Sequence, residues 1–319
     1  MILGFILHTF WGCLSHTHID GFTLDNVVPV GMSQPDLGKA CALGEGLNHP
    51  LRSLTKETPN KAMIIAETTA ALCIDVDTMN ADILADQYTY LKMPSQAMDS
   101  RIAAERLHSQ AAYRYYLAYL YSNSAYGEIG EGCPVLQEKD EAAYLIGLVA
   151  GTLAVIHNRL GGNKSGVPDV LLPKIARASA CLDNTKWWYT PQALRAGVWA
   201  FVPGSGPESV DAWKHLQEAG ELGEASGFRI AWGIHNLIAY LSGKEEQLAV
   251  GISAHAEAIT ERPIQGDWAL LDEYGFRISR HMSDRIWARE KGYRTPNFGT
   301  WPIQAEKPEE VDPFEEDPF

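Results

Sequence analysis

Apolar residues recur along this chain at helical spacing, in blocks separated by clusters of glycine, proline and small polar residues. Sustained alternation of period two, rich in Val, Ile and Thr, is hard to find. The pattern predicts helices over 36–47, 60–90, 95–126, 140–160, 168–182, 191–201, 207–226, 228–241, 245–261 and 267–290. Asn48-His49-Pro50 is read as a stop, Asn60 and Asp140 as caps, and Met93-Pro94 as the end of a long helix. Pro168, Pro191 and Pro207 each suit a first helical turn, where the missing N–H has no partner to lose. Residues 14–35, broken by Gly21, Pro29, Gly31 and Pro35, read as irregular. The expected fold class is all-α.

Ala142 to Ile156 forms an uncharged run of fifteen residues containing Gly147 and Gly151. It is shorter than the roughly 20 residues that cross a bilayer, so it reads as a buried central helix. Its two glycines would let a neighbouring helix approach closely. In the second half alanines recur at 178, 219 and 258, at spacings of 41 and 39 residues. Such a recurrence predicts stacked helical hairpins, degenerate tetratricopeptide-like repeats in one bundle with a central groove or cavity. The layout expected is a signal-like segment over 1–12, an irregular linker over 13–35, a helical domain over 36–300 and an acidic disordered tail over 301–319.

Composition adds limits. The chain has 319 residues, 46% of them hydrophobic and 21% charged, enough for a substantial core. A net charge of −14 with no basic cluster argues against nucleic acid as a partner. The apolar run from Ile2 to Trp11, followed by Gly12-Cys13, matches the layout of a lipoprotein leader, with Cys13 as the attachment point. No Lys or Arg precedes the run, and Phe10 and Trp11 stand where small residues are usual. Setting Cys13 aside leaves Cys41, Cys73, Cys133 and Cys181, with no Cys-x-x-Cys pair to suggest zinc. Four cysteines allow three connectivities; Cys41 with Cys73 and Cys133 with Cys181 would each link neighbouring helical segments. The last segment, 306–319, sets seven acids against Lys307 and repeats Asp-Pro-Phe. It resembles the partner-binding tip of bacterial single-strand DNA-binding proteins, which implies a binding mode and not a function.

Pro173, Arg177-Ala178, Leu182-Asp183, Trp187, Pro191, Leu194, Gly197, Phe201, Pro203-Gly204, Gly206-Pro207, Ala212, Leu216 and Ala219 form a further pattern. Over roughly 140–262 it resembles the T-component family of tripartite TRAP transporters. The resemblance implies a periplasmic, lipid-anchored helical bundle with cryptic tetratricopeptide-like repeats and a central ligand cavity. Where that family usually shows paired glycines after the aromatic turn, this chain has Trp188-Tyr189-Thr190.

Chemistry is sparse. His16-Thr17-His18 could supply metal ligands at the end of a strand, but the barrel that uses such a pair needs eight strands, and this chain offers helices. Gly162-Asn163-Lys164-Ser165 lacks the glycines of a phosphate loop and reads as a surface turn. Asp75, Asp77, Asp82 and Asp86 read as a solvated helical face, and the remaining histidines as scattered single residues. No nucleophile has an identifiable base, and no motif calls for a cofactor or a metal.

Tyr113, Arg114, Tyr116, Trp187, Trp188, Arg195, Trp199 and Phe201 are the candidate ligand-binding residues, a wide aromatic wall with two cations to orient a ligand. The expected function is non-catalytic binding of an apolar or amphipathic small molecule in the periplasm, with lipid or sterol the first ligand class and organic acid the second. It would serve a transporter or an envelope-trafficking partner, with membrane contact through the N-terminal anchor. Association into a homo-oligomer is compatible with this. A helical-repeat scaffold gripping a partner peptide is the alternative, and a metal-dependent hydrolase using His16 and His18 a remote one.

Overall fold

The computed structural model describes residues 15–54 and 56–302, and every regular element among them is helical. Cys13, the leader-like run and the acidic segment from residue 303 onward lie outside the described residues. The order is α1 (His16–Phe22), a π-helical turn (Thr23–Val27), α2 (Val28–Met32), α3 (Leu37–Leu54), α4 (Asn60–Tyr90), α5 (Pro94–Tyr126) and α6 (Glu138–Leu160). Then follow α7 (Leu171–Ser179), α8 (Thr190–Phe201), α9 (Ala212–Ala225), α10 (Ile230–Leu241), α11 (Glu245–Glu261) and α12 (Ala269–Lys291).

Three long helices make the centre. α4 packs against α3, α5, α6 and α12, and α5 lies along α6. In α6 every residue from Ala142 to Ile156 is buried or half-buried, as its uncharged run predicts. A Cβ on Gly147 would stand 2.5 Å from Ser122 Oγ, and one on Gly151 2.5 Å from the Tyr119 ring, so these two glycines set how closely α5 approaches. In the second half, α8 packs on α10 and α10 on α12, forming an inner row, with α7 before them in sequence and α9 and α11 between them. The recurrent alanines Ala178, Ala219 and Ala258 fall on α7, α9 and α11 and are buried.

Four expectations need correction. Residues 16–32 are helical and not an irregular linker: Ser15 caps α1, and buried Ile19 joins Leu51, Ala62, Met63 and Ala66 in a small core. α3 runs through Pro50 to Leu54, because burying Leu51 in that core outweighs the one hydrogen bond a proline forfeits. Pro207 stands five residues before α9, whose start is set by Asp211; its carboxylate accepts from the N–H groups of Trp213 (3.0 Å) and Lys214 (3.1 Å). Pro168 likewise precedes α7, its carbonyl accepting from Leu171 N–H at 3.2 Å, and of these three prolines only Pro191 sits in a first helical turn.

Two disulfides tie the frame, Cys41–Cys73 between α3 and α4 and Cys133–Cys181 between the α5–α6 connection and the turn after α7.

Candidate functional site: a buried histidine–aspartate chain beside a cleft

On α4 the positions 75, 78 and 82 share one helical face, and that face points inward. Asp75 is 2% exposed and Asp82 8%, so the acid series is not a solvated face; of its four members only Asp77 is exposed. What keeps these carboxylates inside is a set of donors from other helices. Asp75 Oδ2 accepts from the hydroxyls of Tyr115 on α5 and Tyr274 on α12, both at 2.6 Å. Its Oδ1 meets His157 Nε2 of α6 at 2.8 Å. His157 Nδ1 faces His108 Nδ1 of α5 at 2.9 Å, and His108 Nε2 lies 3.4 Å from Asp82 Oδ2. His281 Nε2 of α12 approaches the same oxygen at 3.4 Å and Arg285 Nη1 at 3.2 Å. Arg285 Nε closes the chain on Asp86 at 2.7 Å. Three histidines expected to be scattered singly therefore converge.

The protonation of this chain follows from its geometry. Burial alone would raise Asp75, but the charge and hydrogen bond of His157 and the hydroxyls of Tyr115 and Tyr274 hold its carboxyl below the usual range. Burial opposes ionisation of Asp82 too, and hydrogen bonds from His108 and His281 with the Arg285 charge pull its carboxyl well down. An ionised carboxylate can only accept, so His157 turns a protonated Nε2 to Asp75. Its Nδ1 meets that of His108 at 2.9 Å, a contact that requires a proton between them. Three carboxylates face the guanidinium of Arg285 along this chain, which leaves negative charge in excess.

The chain lines a narrow cleft with a cavity volume of about 50 Å³. The other residues that line it are mainly apolar, among them Leu153, Ile156 and Leu160 of α6, Leu237 and Leu241 of α10, and Ile278 and Met282 of α12. A second narrow cavity of about 40 Å³, its exposed lining wholly apolar, lies alongside. Leu153 and Tyr274 border both, so the Tyr–Asp75 group stands at the partition.

None of the eight residues expected to bind ligand lines either cavity. Tyr113 is exposed on the outer face of α5, and Tyr116 stacks on Tyr119 with ring centres 6.3 Å apart. Arg114 is committed to Glu45 and to the Ala70 carbonyl, and Arg195 to the Ser179 carbonyl (3.0 Å) and Asn184 (3.3 Å). Trp187 is buried and donates to Glu141 at 2.9 Å; Trp188 stacks on Phe228 at 4.3 Å. Trp199 stacks on His215 at 5.9 Å, and the Arg159 guanidinium covers Phe201 at 4.8 Å. Aromatic content drew attention to a packing layer. The residues that do line the cleft carry a fainter signal: single polar groups seven apart within apolar helical faces, as at 75/82, 108/115 and 274/281.

His16 and His18 lie on helix α1, not at a strand end; His16 pairs with Glu57 at 2.9 Å and His18 with Ser15 at 3.0 Å. Among the described residues no group of three His, Cys, Asp or Glu side chains could hold a metal ion. Comparison with known proteins finds no matching family model, curated relative or solved structure.

Proposed function

We propose that the protein binds an amphipathic small molecule in the cleft between α4, α6, α10 and α12, its polar end at the histidine–aspartate chain and its apolar body along the apolar side chains of the lining. One observation carries this reading: a continuous charged chain, expensive to bury, borders an otherwise apolar cleft that adjoins a second apolar cavity. A chain needed for packing alone would sit among close-packed side chains; this one borders open space. The T-component resemblance, with its central ligand cavity, supports the same reading and adds a transporter as partner. The two disulfides suit an oxidising compartment such as the periplasm.

The test is extraction of freshly purified protein with organic solvent, followed by mass spectrometry. One small molecule per chain is the expected result. Protein that is empty when isolated, and takes up no amphiphile when offered a panel of them, would sink the proposal.

A further inference from the structure

His281 is 7% exposed and its ring lines the cleft, yet only one of its nitrogens is used. Nε2 turns toward Asp82 at 3.4 Å, whereas Nδ1 is buried with no hydrogen-bond partner. A buried polar atom without a partner loses its hydration for nothing, at a cost natural folds rarely leave uncompensated. The Asp82 carboxylate can only accept, so the nitrogen His281 turns to it carries the ring proton, and Nδ1 of the neutral ring is then a bare lone pair. That lone pair asks for a donor. The charge of the wall points the same way, because Asp75, Asp82 and Asp86 outnumber the Arg285 guanidinium. An anionic head would add a further uncompensated negative charge at short range in a low-dielectric cleft. Arg285, which lines the cleft, is held by Asp82 and Asp86, and Arg114 and Arg195 are spent on other protein groups and line neither cavity.

We propose that the ligand head is a hydrogen-bond donor without negative charge, an alcohol or an amine, which gives its proton to Nδ1 of His281, and that carboxylate amphiphiles are rejected. This rests on the cleft being the binding site. The apolar body would lie against Leu153, Ile156, Leu237, Ile278 and Met282.

The test uses full-length, delipidated protein loaded with the neutral fluorescent probe N-phenyl-1-naphthylamine. Displacement is measured with 1-decanol, decylamine, decanoate and 1-methoxydecane, each below its aggregation limit. Decanol or decylamine should displace the probe at concentrations at least ten times lower than decanoate and than the methyl ether, which keeps the oxygen but cannot donate. The alcohol and amine arms decide which donor is read. His281→Phe should erase the advantage of decanol over its ether, whereas His281→Gln, which keeps an acceptor, should retain part of it. Equal displacement by decanol and its ether in the wild type, or tighter binding of decanoate, would overturn the head-group assignment while leaving the cleft as a binding site. Failure of the probe and of all four compounds to bind would overturn both.

Discussion

Trp188 and Tyr189 hold left-handed backbone, with φ of +48° and +59°. For side chains bearing a Cβ this costs about 1–2 kcal/mol each. What offsets the strain is packing: Trp188 lies on Phe228, with Trp187 edge-on at 5.8 Å and Trp268 at 6.2 Å. Replacing Trp188 with Ala removes the packing and keeps the strain, at a cost of roughly 3 kcal/mol in unfolding free energy. Trp188→Gly should be more stable than Trp188→Ala by about 1 kcal/mol, the reverse of the usual order, because glycine adopts positive φ freely. Denaturant titration of both variants measures this, and the ordinary order would show that the turn is unstrained. Ligand binding should survive in both. At single positions the sequence misled most where partners lie far away in the chain. Asp75 looks like any helical carboxylate until His157 and Tyr274, 82 and 199 residues later, are brought to it.

Helices were the readable level. α4, α5, α6, α10 and α11 lie within about two residues of their predicted spans, because long apolar periodicity and the glycine or proline breaks around them act locally. Two of the departures share one cause, tertiary burial overriding a local breaker: Leu51 carries α3 past Pro50, and Ile19 draws 16–22 into a helix. The small-residue seam of α6 shows the same dependence on neighbours. Gly151→Ala adds a methyl group where the Tyr119 ring and Ile175 already stand within 3 Å of the new atom. Despite alanine's better helix propensity, the variant should lose about 1–3 kcal/mol to overpacking, read from its denaturation midpoint. A neutral or stabilising result would mean that α5 and α6 pack more loosely than described.

Taken whole, the molecule keeps several polar groups in its interior, and acid should find them. Burial, aided by the positive charge of Arg229, pushes the His255 imidazole down to about 3, while Ser279 hydrogen-bonds its Nδ1 at 2.8 Å. Burial also lowers His108 and His235. A histidine whose folded pKa lies below its unfolded value of about 6.5 binds more protons when unfolded, so its contribution is complete above that pH. For His255 the contribution drains away as pH falls from 6.5 toward 3. Asp75 and Asp82 act in the same direction but only lower, since their depressed carboxyls lose stability once pH drops through the ordinary carboxylate range. The melting temperature should therefore hold level from pH 8 to 7 and fall steadily between 6.5 and 4. A flat profile down to pH 4 would show that these imidazoles reach water in the folded state.

The cleft was foreseen as a cavity in a bundle, but its polar wall was invisible in sequence because it is assembled from α4, α5, α6 and α12, with none of them supplying more than a few residues. Leu153, like Tyr274, borders both cavities and stands where the two spaces meet. Saturation binding of N-phenyl-1-naphthylamine to delipidated wild type and to Leu153→Trp, with circular dichroism to confirm that both are folded, decides whether this space is a binding site. One probe per chain in the wild type and at least tenfold weaker binding in folded Leu153→Trp is the predicted result; equal binding by the two proteins would place the ligand elsewhere on the molecule.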